Sequence, residues 1–260
     1  MPRTHELVEV SGLIEEVKLW LEKREINLFL FDLDGTLLDT QKVFDKKIKQ
    51  AMLLFVAHSP GWDIDQARKR FNEIDFEEFR IFGVNPQRLR STVSRLSSEH
   101  YLSCQVKEEM TKLIMEVYKT SPPFMEGTLA ILGVLRQAGV QLGAVTHANK
   151  DWTDFKIDTS GLKHFFNKIF VVDENGVKDW HSWKEAISQF GVEPENVAVV
   201  GDSLKGDIIS AGEAGVKHLF WLDSQSWDPY GKNKVPQNVR VIKRLTDVIS
   251  TMVEEADLII

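Results

Sequence analysis

The sequence predicts an α/β protein: a doubly wound parallel sheet with an all-helical block inserted after the first strand. Three observations predict it. Residues 26–31 form a short apolar run that stops abruptly at Asp32-Leu33-Asp34-Gly35-Thr36, as a buried parallel strand does where its carboxyl end meets a ligand crevice. Residues 41–120 carry helical periods and no convincing strand. From Leu129 onward, short apolar runs alternate with helical stretches, the pattern of βαβ units.

The elements follow in order. Residues 11–24 read as an amphipathic helix, capped by Ser11, with Leu13, Val17, Trp20 and Leu21 on one face. Together with the residues before it, this makes an N-terminal helical extension over 1–25, packed on the core. The first strand follows. Three apolar stripes mark the helical block: Phe44, Ile48, Met52, Phe55 and Val56; then Leu89, Val93 and Leu96; then Val106, Met110, Leu113, Ile114 and Val117. His58-Ser59-Pro60-Gly61-Trp62-Asp63 supplies turn residues between the first two helices, and Ser121-Pro122-Pro123 closes the block. The core then spans 26–40 and 121–260. It comprises helix 129–138, strand 140–145, strand 168–172, helix 183–190, strand 197–200, helix 208–214, strand 218–222 and helix 245–254.

Bulk properties narrow the function. The 260 residues carry a formal net charge of −7, so a generic nucleic-acid binder is disfavoured. An anionic substrate is repelled overall and needs a local cation cluster or a metal. Cys104 is the single cysteine, so no intramolecular disulfide forms, which fits a reducing compartment. The N-terminus has no apolar run of signal-peptide type, and no stretch reaches the roughly 18 apolar residues of a membrane span. The expectation is a cytoplasmic protein without membrane or nucleic-acid partners. The sequence leaves its oligomeric state open.

The acids after the first strand carry the chemistry. A carboxylate at Asp32 is placed to attack phosphorus and form an aspartyl-phosphate. Asp34 is placed as general acid and base, protonating the leaving oxygen and then taking a proton from water. Gly35 permits the turn. Thr146 ends the strand VQLGAVT, where its hydroxyl and nearby amides suit a phosphate oxygen. A second buried strand, 197–200, ends in Gly201-Asp202 with Asp207 five residues on. A P-loop reading of Gly201 to Gly206 fails, because Asp207 stands where lysine is required.

These four sites, in this order, resemble the motifs of the haloacid dehalogenase (HAD) superfamily, most of whose members are Mg-dependent phosphatases. The resemblance covers residues from about 26 to 250. It implies a HAD-like Rossmannoid core with the helical block as a cap over 41–120. Asp at position 34 implies phosphate transfer, since the dehalogenase and phosphonate-cleaving branches lack it. The resemblance makes Lys178 the lysine that neutralises charge at the phosphate, 24 residues before Asp202, with Lys184 as runner-up. It assigns Mg²⁺ to Asp32, Asp34, Asp202 and Asp207, with Asp207 a ligand or an orienting group for Lys178. Gly35, Thr36, Thr146, His147 and Asn149 are the expected substrate contacts. The chain departs from the family pattern at His147, where Asn is usual, and at Asp179, where Pro usually follows the lysine.

Electrostatics also asks for a cation: at about 4 Å and an effective dielectric near 20, each pair of like charges costs roughly 4 kcal/mol. The expected function is Mg-dependent hydrolysis of a small phosphorylated metabolite. A phosphotransferase or phosphomutase, and a silent HAD-like binding protein, are the alternatives. In capped relatives the cap reaches the site. That makes His58 and Trp62 candidate contacts, and Arg80, Arg88, Arg90 and Arg95 candidate partners for an anionic substrate.

Overall fold

The computed structural model describes residues 4–223 and 234–257, with side chains from residue 12 to 256 among them. The remaining residues of the expected extension (1–3) and core (224–233 and 258–260) lie outside the described residues.

Six parallel strands form one sheet: β1 (Leu28–Phe31), β2 (Gln141–His147), β3 (Lys168–Val172), β4 (Val197–Gly201), β5 (His218–Leu222) and β6 (Val239–Ile242), in the order β3-β2-β1-β4-β5-β6. Strand order reverses at β1, which pairs with β2 on one side and β4 on the other. Register sets the strand ends level. Phe31 lies opposite Ala144 and Val200, so the chain leaves all three strands beside the same crevice. That crevice is the topological switch point of a doubly wound sheet.

The pleat divides the strand residues between two cores. Phe29, Phe31, Ala198 and Val200 point into one cluster, and Leu28, Leu30, Val197 and Val199 into the other. The first is covered by α1 (Thr4–Lys23), α6 (Thr128–Gln137) and α10 (Asp247–Asp257). The second is covered by α8 (Trp180–Ser188), a π-helical turn (Leu204–Ile209) and α9 (Ser210–Glu213). The N-terminal helix is firmly docked. Val17 and Trp20 are fully buried, and the Trp20 ring lies 6.4 Å from Phe29 and 6.3 Å from Phe220. Its indole Nε1 donates to Glu255 on α10. Burying one such aromatic contributes about 1.5–3 kcal/mol.

A third cluster belongs to the helical block. It is built by α2 (Thr40–Ala57), α3 (Ile64–Phe82), α4 (Gln87–Glu99) and α5 (Cys104–Met115). Met52, Phe55, Phe71, Val93, Leu96 and Met110 are fully buried in it. The turn at 58–63 stops α2 at His58 and starts α3 with a capping box, in which Asp63 accepts from the Gln66 amide at 2.8 Å. Trp152 reaches this cluster from the core side, on α7 (Lys150–Ser160).

Four sequence expectations change. The first helix begins at Thr4, so Ser11 lies inside it and is no cap. Helix 208–214 is instead a π-helical turn running into one short α-turn, with Asp207 in the widened part. Helix α7 and strand β6 were not anticipated. β6 is a four-residue edge strand with a single fully buried side chain, Ile242, too short to show a period.

Candidate active site

Asp32 is the first residue past β1, and its amide donates to Val200 O, which ties it to the end of β4. Its carboxylate is buried. Lys178, on the loop before α8, meets it: Nζ donates to Asp32 Oδ1 at 2.6 Å, to Asp207 Oδ1 at 2.5 Å and to Val145 O at 2.7 Å. An ammonium has three N–H donors, and here each has an acceptor. Lys184 is exposed on α8, its Nζ 5.3 Å from the Trp180 ring. Of the two lysines, the structure brings Lys178 to the acids.

Two glycines make room for the rest. A Cβ on Gly201 would sit 2.4 Å from Asp207 Oδ2, and one on Gly35, where φ is +87°, would sit 2.4 Å from Asp202 Oδ2. Only a bare backbone lets both carboxylates in. Asp207 is further fixed by the Ser203 amide at 2.9 Å. Carboxylate oxygens of Asp32, Asp202 and Asp207 thus lie within 4.8 Å of one another. Burial pushes the Asp32 carboxyl up; Lys178 opposes this, while Asp207, Asp202 and Asp34 add to it, and the net position is well above the usual carboxylate range. Burial pulls the Lys178 ammonium down, but Asp207 and Asp32 outweigh it and leave it above the usual lysine range. One ammonium, that of Lys178, faces the converging carboxylates of Asp32, Asp202 and Asp207, so the pocket is short of positive charge. Three hard oxygen donors and that deficit fit a divalent cation such as Mg²⁺.

Asp34 is a correction to the expected ligand set. Its carboxylate is not among the three that converge. Both its oxygens accept from Lys156 Nζ at 2.5 Å, across 122 residues of sequence.

The expected substrate contacts divide. Thr146 is buried at the end of β2 with no partner for its hydroxyl among the described residues, and His147 Nε2 is likewise buried and unpartnered. Burial, then Lys178, holds the His147 ring below the ordinary histidine range, so it is neutral near pH 7. The other three have partners within the protein. Gly35 N–H donates to Leu38 O, and Thr36 Oγ1 donates to Asp202 Oδ1 at 3.2 Å. Asn149 caps α7 by accepting from the Trp152 amide, and its amide nitrogen donates to Glu174. Their polar groups are already used to build the site.

Comparisons with known proteins give the family. The model of the family described as haloacid dehalogenase-like hydrolase matches residues 29–220. The chain belongs to the haloacid dehalogenase-like hydrolases. It is 28% identical over 238 residues to a glyceraldehyde 3-phosphate phosphatase of Pyrococcus furiosus, covering 85% of this chain and 95% of that one. Its fold resembles a HAD-like hydrolase of Xanthomonas campestris, at a TM-score of 0.68 and 16% identity, covering 90% and 95% of the two chains. It also resembles the HAD hydrolase YfnB of Bacillus subtilis, solved with magnesium bound, at a TM-score of 0.63 and 21% identity, covering 87% and 98%.

Within this HAD-like hydrolase the two sequence departures have local causes. Asp179, in place of the usual proline, is the N-cap of α8 and accepts from the His181 and Ser182 amides. The loop holding Lys178 is therefore anchored by a hydrogen-bonding cap rather than by a fixed φ. His147 adds a neutral ring where Asn is usual.

Other expected contacts lie elsewhere. Trp62 packs 5.6 Å from Phe55 and 4.5 Å from His100 inside the helical block, and His58 is exposed with Nδ1 on Leu54 O. Arg95 pairs with Glu78 and Glu77, Arg88 pairs with Asp75, and Arg80 lies over Phe76. Three residues were not anticipated: Trp152, Lys156 and Glu174. Glu174 also accepts from Asn85, in the turn between α3 and α4, at 2.9 Å, and so joins the helical block to the Asn149 loop. The only sequence signal for the first two was their i, i+4 spacing.

Proposed function

We propose that the protein is a Mg²⁺-dependent phosphatase that hydrolyses a small phosphorylated metabolite through an aspartyl-phosphate on Asp32. The observation that carries this reading is the buried Asp32 carboxylate, held by Lys178 at 2.6 Å within a ring of acids. The phosphatase relative in Pyrococcus supports the reaction class.

The chain's own groups supply the steps. Lys178 fixes Asp32 so that its carboxylate faces the crevice at the strand ends. Thr146 Oγ, buried and without a partner among the described residues, donates to a phosphoryl oxygen. Asp32 attacks phosphorus, the P–O bond to the alcohol breaks, and Asp34 gives its proton to the departing oxygen. Water then attacks the aspartyl-phosphate, Asp34 takes back a proton, phosphate leaves and Asp32 is restored. Mg²⁺ held by Asp32, Asp202 and Asp207 would supply positive charge beside the phosphoryl oxygens.

The helical block acts as a cap that closes over this chemistry and selects the substrate. The reading places the enzyme in the cytoplasm, where the exposed Cys104 stays reduced. No helix among the described residues is long and apolar enough to cross a membrane.

Release of phosphate from 4-nitrophenyl phosphate tests the reading. Activity requires Mg²⁺, disappears with excess chelator, and falls by about 10⁴-fold or more in Asp32→Asn. Equal turnover with chelator, or in that variant, overturns the mechanism. Transfer of phosphate to a second hydroxyl without release to water identifies a transferase instead.

A further inference from the structure

We propose that Lys156 is a positioning residue that holds Asp34 in the pose needed for proton transfer, and that it ties this pose to the packing of the helical block. The inference rests on the phosphatase reading above.

Lys156 is an unusual residue to find where it is. Its side chain is fully buried, although a lysine is almost never fully buried without a partner. Its ammonium contacts both oxygens of Asp34 at 2.5 Å. Its Nζ also lies 3.9 Å from the centre of the Trp152 ring, one turn earlier on α7. The lysine is thus fixed from two directions, and it fixes Asp34 in turn.

The pose it selects matters. Asp34 stands two residues from Asp32, in a turn that also brings in Asp202. A carboxylate there has two directions available: toward the pocket of Lys178, or toward the helical block. Lys178 has no free donor, because Asp32, Asp207 and Val145 take all three. Lys156 draws Asp34 the other way, with both its oxygens on the one ammonium of α7. Trp152 connects this to the cap. Its ring packs edge-on against Phe44 of α2 at 5.8 Å and against Tyr118, in the return to the core, at 5.0 Å. Seating of the helical block therefore sets the floor on which Lys156 rests.

A positioning role and a merely structural one differ in what they do to different leaving groups. The value of kcat/KM reports the steps up to departure of the alcohol. Phenyl phosphate needs a proton on its leaving oxygen, whereas 4-nitrophenyl phosphate has the same ring and a leaving group stable without one. The measurement is kcat/KM for both substrates with Mg²⁺, in the wild type and in Lys156→Met and Lys156→Gln, with folding followed by circular dichroism and thermal unfolding. In either folded variant, phenyl phosphate is expected to lose about 10²-fold, the scale of general acid catalysis, while 4-nitrophenyl phosphate changes by less than about threefold. An equal loss on both substrates, no loss on either, or failure of both variants to fold makes Lys156 a structural residue and overturns the proposal. A wild type that releases no phosphate from either substrate overturns the phosphatase reading and this inference with it. An active wild type with an unchanged substrate ratio in the variants overturns only the role of Lys156.

Discussion

Two buried lysines hold two aspartates that are neighbours in sequence, and their surroundings differ sharply. Lys178 sits at the end of the sheet with every donor engaged by Asp32, Asp207 and Val145. Lys156 sits on α7 between core and helical block, with one carboxylate and one indole face. The first environment is built by strand ends in fixed register, so it is rigid and complete before substrate arrives. The second depends on packing between the core and the inserted helices, so its geometry follows the seating of the block. The difference teaches a division of labour: the sheet fixes Asp32, and the core–block boundary fixes Asp34, which under the proposed mechanism are the attacking and the proton-transfer groups.

Three perturbations break or sharpen that comparison. The largest strikes the strand-end pocket. Lys178→Met leaves Asp32 and Asp207 buried without their cation. Removing one partner of a buried charge set costs about 3–5 kcal/mol, and the lost charge at the phosphate lowers kcat by roughly 10²–10³-fold. Thermal unfolding with and without Mg²⁺ checks this: the midpoint falls, and Mg²⁺ recovers part of the loss by supplying positive charge. A variant as stable as the wild type without metal refutes the charge deficit.

A smaller effect is expected at the boundary. Asn85→Ala removes the bond from the helical block to Glu174. The loss of about 1 kcal/mol corresponds to a roughly fivefold rise in KM, with kcat little changed because the strand-end pocket is untouched. Steady-state kinetics reads the split. A fall in kcat at constant KM would instead make this contact part of the rigid pocket.

The smallest effect marks a site away from both. Burial, then Arg240 and Arg24, holds the His218 ring down at about 4. The native state therefore keeps it neutral, while the unfolded chain protonates it near the usual 6.5. Stability is full above about pH 6.5 and declines as pH falls toward 4, because the unfolded state binds the extra proton. The ring is half-exposed, so the decline is modest. Denaturant unfolding from pH 7 to 4 shows a shallower slope in His218→Phe than in the wild type. An identical slope removes His218 as its source.

The legible parts of the sequence were those governed by one dominant pattern. The strands at 28–31, 141–147 and 197–201 are largely buried and mostly apolar, and a candidate site residue stands at or just past the end of each. Asp32, Thr146, Lys178, Asp202 and Asp207 were all anticipated, and the structure brings Asp32, Lys178, Asp202 and Asp207 into contact range. Helix α7 was illegible because its apolar residues serve two masters. Trp152 faces the helical-block cluster and Ile157 faces the core, so they form no single stripe. With the helix went Lys156, whose burial no local pattern announces. Asn149 is expected as a substrate contact from the family pattern, in which Asn usually follows the motif threonine; its role as N-cap of α7 is not legible without that helix. The family resemblance assigns Asp34 to the metal, and nothing local to Asp34 carries information about a partner 122 residues away.

That separation has a consequence in time. Asp32 is made before Asp207, and the chain must grow by 175 residues before Asp207 exists to join it. At the usual 5–20 residues per second this is a delay of roughly 10–35 s. In between, the helical block at 40–115 emerges with contacts that are local to it, and it can fold first. The Asp32 carboxylate is thus made long before its pocket, and the acidic cluster is assembled only once β4 has slotted in beside β1.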